Sequence, residues 1–402
     1  MQSQATINTR RLQTLQVRWS WIGIISLALL GAGYWLLAAS WGTIEASYWL
    51  LGAAPANLYL LWTFRRHLPA NHPHGQQHQL YRDLGLPNLV TYWRGFLVAC
   101  TAGFLLTPRP AGSLWLLWLP AILFALGILP DFIDGVLARL SGRSSQLGEH
   151  LDVAVDSLAV LTGTFLVVRW GQVPVWYLAV GLARYAYLAG LWLRQRLDKP
   201  VYPLPPSLTR RALAGTQMGL LMVLLWPLFG PPDTYIAAIL FAVPFLIAFI
   251  RDWFYASGLL QPDEQPAQRQ SNSWIQHWLP LLLRVVLGLG LASVSLPWLA
   301  DLPAAAAFFA DLGVHAPALL VTLLLFLQLL VLVSAALGMM GRTIGILALC
   351  LAGFYLRFDL GIPALNLAAA VSGALLLFLG SGRLSLWQPE EELLERRIGE
   401  AA

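Results

Sequence analysis

Apolar stretches of about twenty residues recur along this chain, separated by short polar or basic breaks. They fall near residues 19–39, 44–64, 88–107, 112–130, 150–169, 173–193, 212–229, 233–250, 278–300, 316–338, 343–358 and 362–380. A run of this length crosses the roughly 30 Å hydrocarbon layer as an α-helix, since backbone polar groups in lipid must be satisfied within the segment. The pattern predicts an all-α, polytopic integral membrane protein with about twelve transmembrane helices.

Composition supports that reading. Of 402 residues, 58% are hydrophobic and only 11% are charged, against roughly 25% charged in a soluble domain. A soluble chain of this size would need one very large core, where such chains divide into smaller domains instead. The N-terminal stretch with Arg10, Arg11 and Arg18 is too long and polar for a signal peptide, and no small-residue cleavage site follows the first apolar run. Cys100 and Cys350 both lie inside apolar runs and read as small buried residues.

Charge placement orients the spans. With the N-terminus in the cytoplasm and sides alternating, Arg65, Arg66, Arg82, Arg143, Arg194, Arg196, Lys199, Arg210, Arg211, Arg251, Arg269, Arg342, Arg383, Arg396 and Arg397 fall inside. Only Arg109, Arg169 and Arg357 fall outside. The positive-inside rule then predicts a multi-pass protein of the cell membrane with both termini cytoplasmic. Four blocks follow: a two-helix hairpin at 1–66, a six-span block at 67–255 holding nearly all the intramembrane charge, a polar linker at 256–276, and a four-span block with a charged tail at 277–402.

Chemistry concentrates in Pro130 to Asp156, PDFIDGVLARLSGRSSQLGEHLDVAVD. Asp131 and Asp134 are three apart and share one helix face; Asp152 and Asp156 are four apart and do the same on the next helix. The short polar turn between them predicts an antiparallel hairpin that gathers four carboxylates near the cytoplasmic boundary. Like charges so close raise one another's pKa unless something positive sits among them. The local sequence offers only Arg139, so the pattern calls for two hard divalent cations, Mg2+ or Mn2+, with oxygen ligands. Such a pair suits clamping a pyrophosphate for in-line displacement at phosphorus. A paired-acid stripe is usually a solvated face, but intramembrane acids are costly and point to function.

The same residues resemble the signature of the CDP-alcohol phosphotransferase family, D-x-x-D-G-x-x-A-R, eight residues, G-x-x-x-D-x-x-x-D. Asp131, Asp134, Gly135, Ala138, Arg139, Gly148, Asp152 and Asp156 fill every position, and the resemblance covers about residues 85–255. It implies a six-helix catalytic core that transfers a phosphatidyl or other substituted phosphoryl group from a CDP-alcohol to an acceptor alcohol, releasing CMP. In that reading CDP-diacylglycerol is the donor, the partners are membrane lipid and not nucleic acid, and the enzyme is a homodimer. The resemblance further implies metal ligation by Asp131, Asp134, Asp152 and Asp156, with Asp156 also the general base, and contacts to the CDP moiety from Gly135, Arg139 and Ser145.

Other elements are weaker. Asn88, Thr91 and Arg94 repeat at helical spacing in PNLVTYWR and match a family element that lines the nucleotide pocket, although Pro-Asn is also ordinary helix-start punctuation. Arg184 lies within the sixth span and needs either the aspartates, an anionic substrate or the interface as its partner. Arg210 and Arg211 stand where the family has an acceptor-phosphate motif, but the lysine of that motif is missing here. His67, His72, His74 and His78 read as a polar loop rather than a zinc site. Residues 277–390 resemble the DoxX-like membrane family in the R-x-x-x-G opening at Arg284 and the ending GSGRLSLW. That resemblance leaves an alternative in which a transport or redox module uses the aspartates as a cation site.

Overall fold

The computed structural model describes residues 2–73, 80–130, 145–204, 208–227, 229–231, 233–260, 273–382 and 384–387. Its α-helices are α1 (Gln2–Ser40), α2 (Thr43–His67), α3 (Leu86–Ala102), α4 (Leu114–Ile128), α5 (Gln146–Arg169), α6 (Leu178–Arg196) and α7 (Leu208–Leu224). They continue as α8 (Asp233–Ser257), α9 (Ser273–Ala300), α10 (Leu302–Asp311), α11 (Pro317–Leu337), α12 (Gly341–Arg357) and α13 (Pro363–Leu379). No strand occurs among the described residues. The chain is an all-α polytopic membrane protein.

Each of the twelve apolar segments coincides with a helix. Five of them, α1, α5, α8, α9 and α11, are long and apolar enough to cross a bilayer by length and composition. The thirteenth helix, α10, is short and falls between the segments at 278–300 and 316–338. It begins on Asp301, whose carboxylate accepts the backbone N–H of Ala304 at 3.0 Å. Prolines sit where they are tolerated, in the first turn of α3, α10, α11 and α13. Pro55 and Pro120 lie inside α2 and α4, as membrane helices allow.

The chain divides into two compact units, 1–198 with 215–238, and 199–214 with 239–402. In the first, the α1–α2 hairpin shares one core with the helices that follow. Leu15, Ile22, Leu60, Phe64, Tyr92, Leu147, Leu151 and Val155 come together from α1, α2, α3 and α5. A polar chain runs through that core: Tyr92 Oη donates to Asn57 at 2.9 Å, Asn57 to Ser26 at 3.2 Å, and Ser26 to the Gly23 carbonyl at 2.9 Å. Each group buried away from water is thereby satisfied, which fixes the rotation of three helices about one another.

Small residues set the helix spacing where chemistry is concentrated. A β-carbon on Gly95 of α3 would lie 2.6 Å from Val155 of α5 and 2.9 Å from Leu60 of α2. Close backbone approach of this kind is how membrane helices gain packing without a hydrophobic driving force between them.

The second unit has its own core, with Leu287, Leu291, Val294, Trp298, Phe309, Ala348, Leu351 and Tyr355. Helices α12 and α13 meet at Gly345 and Gly373, each facing the other's carbonyl. Gly338 takes a left-handed conformation (φ +66°) to end α11. The segment 384–387 then returns to that turn, with Met340 N–H donating to the Trp387 carbonyl at 3.0 Å and Leu386 N–H to the Leu337 carbonyl at 3.2 Å.

Candidate active site

Helix α5 opens on Ser145, whose hydroxyl accepts the Gly148 N–H at 3.1 Å. This cap fixes the first turn, and the next two turns carry Asp152 and Asp156 on one face. Neither carboxylate is enclosed: Asp152 is 44% exposed and Asp156 33%. Both are held by one residue of α3. Arg94, 3% exposed, reaches Asp152 Oδ1 with Nη1 at 3.3 Å and Asp156 Oδ1 with Nη2 at 3.6 Å. Its Nε donates to the Gly127 carbonyl at the end of α4, at 3.2 Å.

This arrangement supplies a cation that the local sequence did not offer: Arg94 stands between Asp152 and Asp156. The pairing bridges residues 58 apart, so no local spacing could display it. The guanidinium suits the task, since its fork offers separate N–H groups to two carboxylates at once.

A second set of contacts fixes how α3 meets α5. Asn88 and Ser145, both 4% exposed, bond to each other: Asn88 Nδ2 donates to Ser145 Oγ at 3.1 Å, and Ser145 Oγ lies 3.2 Å from Asn88 Oδ1. Asn88 also donates to the Leu84 carbonyl at 2.7 Å and to Asn71 at 3.3 Å. Thr91 turns its hydroxyl back to the Pro87 carbonyl at 3.1 Å. Two of the residues that share this face of α3 thus reach α5, Asn88 at the cap on Ser145 and Arg94 at the acids Asp152 and Asp156. Gly148 belongs to this junction, since a β-carbon there would sit 2.6 Å from Asn88 Oδ1.

Asn71 is a partner that sequence reading missed, and His67, read there as part of a polar loop, instead ends α2. Asn71 accepts from Asn88 and holds the Asp83 carbonyl at 2.8 Å. His67, at the end of α2, stacks on His150 of α5 with ring centroids 4.2 Å apart. Nothing in the stretch RRHLPANHPHGQQHQ distinguishes these two from their polar neighbours. His74 and His78 lie outside the described residues.

Other candidates are placed less centrally. Arg184 is exposed on α6, and no ion pair among the described residues engages it. Arg210 and Arg211 belong to the first turn of α7. Asp131, Asp134, Gly135, Ala138 and Arg139 lie outside the described residues. Among the described residues no group of three metal-ligating side chains occurs. Asp152 and Asp156 nevertheless suit a hard divalent cation: both offer carboxylate oxygens from one helix face, both are partly open, and Arg94 sits at long ion-pair distances from each.

Comparison with known proteins gives this site a context. Residues 84–253 match the family model described as CDP-alcohol phosphatidyltransferase. A protein of Mycobacterium tuberculosis named for cardiolipin synthase is 36% identical over 124 residues, 30% of this chain and 56% of its own length. The cardiolipin synthase (CMP-forming) of Streptomyces coelicolor is 34% identical over 142 residues, 34% of this chain and 62% of the relative. The CDP-diacylglycerol–glycerol-3-phosphate 3-phosphatidyltransferase of Cereibacter sphaeroides is 30% identical over 110 residues, 26% of this chain and 48% of the relative. The chain thus spans between 48% and 62% of the length of these curated relatives. No solved structure matches it.

Proposed function

We propose that residues 84–253, a CDP-alcohol phosphatidyltransferase domain, transfer a phosphatidyl group from CDP-diacylglycerol to an acceptor alcohol with release of CMP. The observation that carries this reading is Arg94 holding Asp152 and Asp156 together on one face of α5. The name of the Cereibacter sphaeroides relative supports an acceptor hydroxyl of the glycerol phosphate class.

In this reading Asp156 takes the proton of the acceptor hydroxyl. The freed oxygen pair forms a bond to the β-phosphorus of the CDP-alcohol, and the bond from that phosphorus to the CMP oxygen breaks. CMP departs with the electron pair. Two Mg2+ or Mn2+ ions, held by Asp152 and Asp156 with Asp131 and Asp134, would supply Lewis-acid stabilisation of the charge that develops on the phosphoryl oxygens. Arg94 holds the two carboxylates in register before substrate arrives. The Asn88–Ser145 junction holds α3 and α5 at fixed separation, so the general base does not drift from the acceptor oxygen. Arginine placement supports a cytoplasmic site with both termini inside, and the homodimer expected from the family completes the proposal.

The test uses the full chain purified in lipid nanodiscs with CDP-diacylglycerol, Mg2+ or Mn2+, and a panel of acceptors, reading CMP and product mass. The expected result is CMP release that requires the divalent ion and yields one glycerol-phosphate product. Asp156→Asn should abolish release while the thermal melt stays in place. Activity retained by that variant, or CMP formed equally without added metal after chelation, would overturn the assignment.

A further inference from the structure

A cavity of about 680 Å3 opens on the first unit, away from the carboxylate pair, and its wall is arginine. Arg10, Arg11, Thr14 and Arg18 come from α1, and Arg82 and Asp83 from the segment that leads into α3. Arg10, Thr14 and Arg18 are spaced by four along one face of α1. Arg11 is fastened across the cavity floor, with Nη1 donating to the Leu80 carbonyl at 2.5 Å. Four arginines against one aspartate leave the wall three charges positive (4 − 1 = 3). Among the described residues no ion pair engages Arg10, Arg18 or Arg82. Like charges gathered around one space repel, and an anion between them relieves that repulsion.

The level of the cavity narrows the ligand. Helix α1 has 39 residues, about 58 Å at 1.5 Å per residue, whereas the hydrocarbon layer is about 30 Å thick. Its apolar run begins at Trp19, whose indole N–H donates to the Leu61 carbonyl at 3.0 Å and lies beneath the Arg65 guanidinium, 5.1 Å from the ring centroid. Tryptophan beside arginine at the start of an apolar run is the side-chain pattern enriched at membrane–water interfaces. Arg18 is the next residue outward, and Arg10 lies two turns further. The arginines therefore face the layer where phosphate groups of lipids reside.

We propose that this cavity is a binding site for a phosphate ester, of which an anionic phospholipid head group is the form that its depth presents first. It lies outside the segment matched to the family, which begins at residue 84, and it does not depend on the transfer chemistry proposed above. A free phosphomonoester would satisfy the same guanidinium forks, since both ligands present charged oxygens to bidentate donors.

The experiment measures polarisation of a fluorescent short-chain phosphatidylglycerol on the full chain in neutral detergent. Unlabelled phosphatidylglycerol, phosphatidylcholine, glycerol 3-phosphate and inorganic phosphate serve as competitors. The triple variant Arg10→Gln, Arg18→Gln, Arg82→Gln leaves the Arg11 bond intact. It should weaken the lipid about tenfold or more, given what each arginine contributes beside an anionic head group. A charge-matched triple, Arg66→Gln, Arg194→Gln, Arg196→Gln, should change it less than about twofold. Displacement by glycerol 3-phosphate or inorganic phosphate assigns the site to free phosphate esters as well, and displacement by phosphatidylglycerol alone assigns it to lipid. Equal weakening by both triples, equal competition by phosphatidylcholine, or no effect of the first triple would overturn the proposal. Thermal melts of both variants confirm that each reading comes from folded protein.

Discussion

Among the described residues two arginines are buried in apolar helices, Arg94 of α3 at 3% exposure and Arg284 of α9 at 4%. Each is costly to place there, and the two are compensated in opposite ways. Arg94 meets two carboxylates and a carbonyl from three directions. Arg284 donates Nη2 to the Leu384 carbonyl at 2.7 Å, and among the described residues its Nε and Nη1 have no hydrogen-bond partner. Compensation by acids leaves ionisable groups gathered at a partly open face, where protons and metals can be handled. Compensation by a carbonyl ties one stretch of chain to another. The first arrangement is suited to chemistry and the second to architecture.

Removing the guanidinium that spans two acids is the sharpest way to break this comparison. Arg94→Gln should lower CMP release about a hundredfold, roughly 2.7 kcal/mol of barrier. The two carboxylates then repel and lose the donor that orients them. Arg94→Lys should recover only part of that loss, because one ammonium is a point charge and cannot occupy two forks. Initial rates on monodisperse protein check both. Wild-type rates in Arg94→Gln would mean that the pair it forms is scaffold, no different in kind from the contact at Arg284.

A smaller effect is expected at the junction that supports the pair. Asn88 cannot swing from an alanine methyl at position 148, because Leu84 and Asn71 already hold it. Gly148→Ala should therefore push the start of α5 outward, at a cost of about 1–3 kcal/mol for overpacking, offset by about 1 kcal/mol of helix propensity. Displacing Asp152 and Asp156 by a fraction of an ångström should lower kcat about tenfold. A melt and a rate measured on the same preparation separate the two consequences.

Much of this molecule can be read from sequence because membrane helices write themselves as apolar runs. Asp152 and Asp156 were legible for the same reason, since four residues on a helix is a geometric statement. So was the face shared by Asn88, Thr91 and Arg94. What that face meets was not legible. Gly95 lets α3 approach α5 closely enough for Arg94 to reach both acids, and nothing in a single sequence ties residue 95 to residue 155. The pairing of Asn71 with Asn88 was hidden likewise, because a single amide in a polar loop carries no periodicity. In the second unit, the Arg284 region and the GSGRLSLW ending stood out separately, and the turn at Gly338 did not stand out. Only the fold shows that they converge, with Arg284 reaching Leu384 beside Gly338.

That convergence supplies the mildest test of the comparison. Arg284→Gln removes the bond to Leu384 and leaves space where Gly338 had admitted the guanidinium, since a β-carbon there would lie against Nη1. Losing a charged donor to a partly buried carbonyl should cost about 1–3 kcal/mol, offset in part because the arginine itself was costly to bury. The expected outcome is a modest fall in apparent Tm, with CMP release within about twofold of wild type. Differential scanning of the detergent-solubilised protein reads the first, and the nanodisc assay reads the second. The opposite result, an unchanged melt with lost turnover, would draw the second arginine into the chemistry. Burial with a carbonyl partner would then no longer separate architecture from catalysis in this chain.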